Sequence, residues 1–137
     1  LSRGIEEAIR QAARRGWVVW LRGIDDDLLA ALYSGARAFV TASYYEGFNL
    51  PLLEALACGV PVVATDLAVH REIAGPAALY VAADAPDRLA DALWSVLSDE
   101  VLDQRLRHAA RERATRFSWR RSAEQHLEVY RLAAHEP

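Results

Sequence analysis

ARAFVTASYYEGFNLPLLEALACGVPVVAT, residues 36–65, carries the pattern that decides the fold. Ala36 to Ala42 reads as a strand, short and apolar, ending where the polar Ser43 begins. A loop over 43–49 follows. Leu50 to Cys58 then spaces its leucines and alanines as a helix does, and Gly59 closes it. Pro61 to Thr65 is a continuous apolar run of the kind a strand buried on both faces presents. Strand, helix and strand in this order predict a parallel βαβ unit.

The same alternation extends both ways. Upstream, Ile5, Ala8, Ile9, Ala12 and Ala13 give 4–15 a helical period that stops at Gly16. Trp17 to Leu21, WVVWL, predicts another strand buried on both faces. Asp25 to Asp27 place acids at the head of a helix that runs to Gly35. Downstream, a short helix over 68–74 and a strand over 78–82 complete a set of four strands. Helices follow over 86–97, over 99–116 and, after an N-capping Ser118, to about residue 133. The expected fold is α/β, a Rossmann-like, doubly wound parallel sheet with flanking helices, in which ligands bind at the carboxyl ends of the strands. Residues 1–137 read as one domain, 1–116 forming its body and 117–137 a closing helix.

Composition narrows the function. Of 137 residues, 53% are hydrophobic and 26% charged, which is the profile of a globular protein with a modest core. A net charge of −3 argues against a nucleic-acid binder with a basic surface. No apolar run approaches the roughly 20 residues that cross a bilayer, and none reads as a secretory leader. Cys58 is the sole cysteine, so no intrachain disulfide can form, and a reducing cytoplasm is the expected setting. The chain has no methionine and begins at Leu1, as a processed product or a segment of a longer protein would.

The loop before the 50–58 helix holds the chemistry. Pro51 suits a first helical turn, where a missing N–H costs nothing. Free N–H groups around Phe48 to Leu50, with the helix dipole behind them, favour an anion such as a diphosphate. Gly47 leaves room for backbone to approach a ligand. Glu54, about one turn into the helix, leans back toward the same end, and its carboxylate fits a vicinal diol such as that of ribose. Glu46 would face the opposite end of such a ligand. Chance alone supplies many pairs of glutamates at this separation, and an acid in a first turn is favourable with no ligand at all.

The context settles which reading to prefer. SYYEGFNLPLLEALACGVPVVATD, residues 43–66, resembles the signature of glycosyltransferase family 4, retaining enzymes of two Rossmann-like domains. RGIDDDLLAALYSGARAFV (22–40), HREIAGPAALYVAADAPDRLADAL (70–93) and FSWRRSAEQHLEVY (117–130) extend the likeness over nearly the whole chain. The resemblance implies that this is the C-terminal, nucleotide-sugar-binding half of such an enzyme. It implies that Glu46 contacts the transferred sugar, and that Gly47, Phe48, Asn49 and Leu50 meet the sugar and diphosphate through backbone. Glu54 would hold the ribose, and Gly23, Ile24 and Asp25 would lie against the base. No cofactor or metal is expected; the donor would be an NDP-sugar, GDP-mannose and UDP-glucose foremost. The acceptor would be a glycan or lipid-linked molecule, which would bring the protein to the inner face of the membrane.

Family members place an acceptor-binding domain, and a strand–helix–strand with a basic pair, ahead of the region matched here. This chain has no lysine. Electrostatic support for a departing diphosphate is usually a large catalytic contribution. The isolated chain is therefore expected to be truncated at its N-terminal side and inactive in transfer. In the usual strand order 3-2-1-4-5-6 the absent strands are central ones. The 17–21 strand would then pair directly with 37–42, or another chain would fill the gap by self-association. A non-catalytic nucleotide-sugar-binding or assembly module is the alternative from another class; an epimerase or phosphorylase of similar architecture fits the motif less well.

Three further features have bland readings. Asp66 to Glu72 opens on the ligand edge of the sheet but reads first as a solvated loop, and neither Ser43 nor His70 has the setting of a hydrolase nucleophile. Arg105 to Arg116 reads as a solvated helix face. Cys58, Phe117 and Trp119 read as packing residues.

Overall fold

The computed structural model describes residues 3–135. The order is α1 (Arg3–Arg14), α2 (Asp26–Gly35), β1 (Phe39–Thr41), α3 (Leu50–Ala57), β2 (Val62–Thr65), α4 (Ala68–Ala74), a 3-10 turn (Gly75–Ala77), β3 (Ala78–Val81), α5 (Pro86–Ser98), α6 (Glu100–Ala114) and α7 (Trp119–His135). The three strands form one parallel sheet in the order β1-β2-β3, with Phe39 opposite Val62 and Val62 opposite Ala78.

β2 is the centre of the molecule, and all four of its residues are buried. Its pleat divides the core. Val62 and Ala64 pack with Leu52, Leu56, Ile73 and Ala110, from α3, α4 and α6. Val63 points the other way, to Val96 of α5 and Leu106. Helices thus cover both faces, as a continuous apolar strand requires.

Local chemistry sets the helix ends. Asp25 Oδ1 accepts the Leu28 N–H at 2.8 Å, and Asp99 Oδ1 accepts that of Leu102 at 3.0 Å. Ser118 Oγ accepts from Arg121 N at 3.1 Å, as the sequence predicts. Gly59 ends α3 at φ 70°, a left-handed conformation that favours glycine, and a Cβ there would push the Arg111 side chain aside from 2.6 Å.

Three expectations are corrected. Trp17 to Leu21 is not a strand: it joins no ladder, and Trp17 and Val19 are 75% and 80% exposed. Direct pairing with β1 is therefore not formed, and among the described residues the sheet has three strands rather than four. An apolar run signals a strand only where a partner edge supplies its hydrogen bonds; here Arg15 and Arg22 instead lie over the rings of Trp17 and Trp20, at 5.2 and 3.9 Å. Trp119 does not seat α7, being 80% exposed, whereas Phe117 packs on the core.

The third correction concerns Arg107 and Arg113 of α6; Arg105 and Arg111 are exposed, as a solvated face requires. Arg107 donates to the carbonyls of Gly59 and Arg37, at 3.4 and 3.3 Å, and pairs with Asp103 at 2.8 Å. Arg113 donates to the carbonyls of Ile73 (2.8 Å) and Glu72. These side chains clamp α6 onto the loops around the sheet rather than simply facing solvent.

Candidate functional site

The loop from β1 to α3 opens at the carboxyl end of the sheet. Asn49 is its pivot. Alone among the described non-glycine residues it has positive φ, 71° with ψ 68°, a left-handed conformation that asparagine tolerates better than most. Its Oδ1 accepts the Leu52 N–H at 3.1 Å, capping α3. Its Nδ2 donates to Thr41 Oγ1 at 3.2 Å and contacts His70 Nε2 at 2.9 Å. Pro51, second in the helix, offers no N–H, and Leu53 N reaches Asn49 O at 3.4 Å.

That accounting leaves a consecutive set of donors. Among the described residues, the N–H groups of Gly47, Phe48, Asn49 and Leu50 have no acceptor within the protein. They precede a helix start whose dipole favours negative charge. Gly47 does not need to be glycine for the chain's own sake: a Cβ there meets nothing within 4 Å, and its φ is not positive.

The two glutamates are held from different sides. Glu46 Oε1 accepts the Ser43 hydroxyl at 2.6 Å, and Ser43 Oγ lies 3.5 Å from Thr41 Oγ1. Thr65 Oγ1 donates to the Ser43 carbonyl at 2.6 Å, tying the loop to the end of β2. Glu54 Oε2 accepts the Tyr33 hydroxyl at 3.1 Å. Glu54 also lines, with Phe48, Leu50, Arg116, Phe117 and Arg121, a groove of about 710 Å³ between α3 and the α6–α7 junction. Phe48 meets Phe117 edge-on across it, with centroids 6.1 Å apart. Glu46 is not part of this lining.

Partial burial, and after it the hydrogen bond to Glu54, pushes the Tyr33 phenol up to about 12. The neutral phenol is thus favoured in the folded protein. Its contribution to stability is complete below the ordinary tyrosine value near pH 10 and is lost as pH rises through about 12. Tyr33→Phe should shrink the alkaline loss of stability across that window, measured by urea unfolding. An unchanged alkaline profile would show that Tyr33 does not hold Glu54 in solution.

Gly23, Ile24 and Asp25 are not brought to the groove or to the Asn49 network. Gly23 has φ 61°, and the Asp25 carboxylate caps α2. Of the 66–72 segment, Asp66 and Arg71 form an exposed ion pair, whereas His70 is 0% exposed inside α4. The reading of 66–72 as a solvated loop is thus corrected at His70, whose burial was signalled only by its helical spacing with Ile73 and Ala74, which are also buried. Among the described residues no group of three or more His, Cys, Asp or Glu is placed to hold a metal ion, and no helix is long and apolar enough to cross a membrane.

Comparison with known proteins gives the family and the fold. Residues 3–113 match the family model described as glycosyl transferases group 1. The chain is 33% identical over 126 residues to the O-antigen chain mannosyltransferase B of Escherichia coli, covering 92% of this chain and 33% of that protein. It is 36% identical over 138 aligned positions to the alpha-maltose-1-phosphate synthase of Mycobacterium tuberculosis, covering 93% and 36%. Among solved structures, sucrose-phosphate synthase from Thermosynechococcus elongatus superposes with a TM-score of 0.85 at 33% identity, covering 98% of this chain and 35% of that one. The chain thus spans about a third of the length of these relatives. With the sequence, the Rossmann-like fold and the loop before α3 in agreement, the chain belongs to the glycosyl transferases group 1 family.

Proposed function

We propose that this chain forms the nucleotide-sugar site of a retaining, metal-independent hexosyltransferase. The observation that carries the reading is the run of four unpaired N–H groups at Gly47 to Leu50, followed by Glu54 on α3 and preceded by Glu46. The diphosphate sits on those amides and the helix start, as an anion should. Glu46 contacts the transferred sugar and Glu54 holds the ribose hydroxyls through its carboxylate. Gly23 to Asp25 approach the base once donor is bound. Attack comes from the face that the diphosphate leaves, with Glu46 orienting the sugar.

GDP-mannose and UDP-glucose are the leading donors; the name of the Escherichia coli relative, a mannosyltransferase, supports the mannosyl one. The acceptor is a glycan or a lipid-linked molecule, met at the cytoplasmic membrane face. Because the chain covers about a third of its relatives, it is expected to bind donor without transferring sugar by itself.

Calorimetric titration of GDP-mannose and UDP-glucose tests this reading. At least one should bind, and Glu54→Ala should weaken it about tenfold or more, the scale of a lost charge-assisted hydrogen bond. Gly47→Val should keep the fold, since space around its Cβ is open, yet cut donor affinity as strongly. If neither donor binds, or if both variants bind as the parent does, the assignment fails.

A further inference from the structure

We propose that His70 is a positioning residue that sets the shape of the Ser43–Leu50 loop, acting through Asn49 to place Glu46 and the loop amides. It extends the donor-site reading, and rests on that reading for its ligand.

The hydrogen-bond directions follow from one fixed point. Asn49 Oδ1 accepts a backbone N–H from Leu52, so the amide cannot be reversed without turning a donor toward a donor. Its NH2 group therefore faces His70 Nε2, which must be the bare, accepting nitrogen. The ring proton is then on Nδ1, where the Thr65 carbonyl accepts it at 2.8 Å. Both requirements name the same neutral tautomer.

From Asn49 the order runs outward to the site. The second Nδ2 hydrogen goes to Thr41 Oγ1, leaving the Thr41 hydroxyl to donate toward Ser43 Oγ. Ser43 Oγ in turn donates to Glu46 Oε1. Thr65 adds a second tie, from its hydroxyl to the Ser43 carbonyl. No side-chain nitrogen or oxygen buried in this network lacks a partner. Satisfied throughout, and buried at Asn49, Thr65 and His70, such a network is stiff at its inner end, and its geometry there is costly to change. A loop in the left-handed conformation at a non-glycine residue needs such over-determination to persist.

A histidine that merely filled space would be replaceable by phenylalanine, whereas a positioning one would be replaceable by a residue that both donates and accepts. The experiment compares His70→Phe with His70→Gln. Nitrogen-15 spectra of the parent should show His70 protonated on Nδ1 and bare on Nε2. In His70→Phe the Leu52 amide should exchange about tenfold faster, and affinity for GDP-mannose or UDP-glucose should fall by about the same factor, the scale of one buried hydrogen bond lost. His70→Gln should restore both to within about threefold, because its amide carries one donor and one acceptor end.

An Nε2-protonated ring overturns the proposal, even if His70→Phe does not fold. So does a folded His70→Phe with parental Leu52 exchange, or a His70→Gln as impaired as His70→Phe. If the parent binds neither nucleotide sugar, the donor-site reading falls, and the tautomer and Leu52 exchange still decide the role of His70.

Discussion

Asn49→Ala is expected to destabilise the folded chain by about 3 kcal/mol. Three losses coincide at one side chain. The cap on the Leu52 N–H disappears, alanine inherits a left-handed backbone at φ 71°, and the buried His70 Nε2 loses its donor. Asn49→Gly keeps the loss of side-chain bonds but removes the backbone strain, so it should recover about 1 kcal/mol of the deficit. Urea unfolding of the three proteins separates these contributions. Equal losses for Ala and Gly would show that the left-handed conformation stores no strain. A loss for Ala below about 1 kcal/mol would show that the network contributes little to stability.

Leu56→Ala should be comparably damaging, at about 3 kcal/mol within the range seen for buried leucines. Leu56 is fully buried where α3 meets β2, and neither neighbour can collapse into the space without moving a strand that is covered on both faces. Leu127→Ala deletes the same atoms from α7, where the residue is 53% exposed, and should cost less than about 1 kcal/mol. A lower urea midpoint with an unchanged slope is the expected signature for Leu56→Ala. If the two substitutions cost the same, the core does not lie between α3 and β2.

Much of this architecture was legible in one dimension because it is local. Caps and stops such as Asp25, Ser118 and Gly59 act within a few residues, and β2 announces itself as an unbroken apolar run. The loop before α3 was readable for the same reason, since its proline, glycine and acids lie within a single turn and helix start. What was not legible depends on partners distant in sequence. His70 meets Asn49 across 21 residues, and Arg113 reaches Glu72 across 41. Periodicity cannot distinguish an arginine facing water from one reaching a carbonyl. The 17–21 run failed for the converse reason: its composition is that of a buried strand, but a strand is defined by an edge to pair with, which composition does not encode.

The arginine clamps on α6 also determine which positions can drift over generations. Arg107 and Arg113 grip main-chain oxygens of residues 37, 59, 72 and 73, and every amino acid supplies that oxygen. Side chains at 37 and 72 can therefore change while the clamp holds, so the tolerance is one-sided. Lysine at 107 or 113 would bring one ammonium in place of a planar fork and could not span two carbonyls in the same way. Positions 37 and 72 are free to diversify because the two arginines that grip them are not.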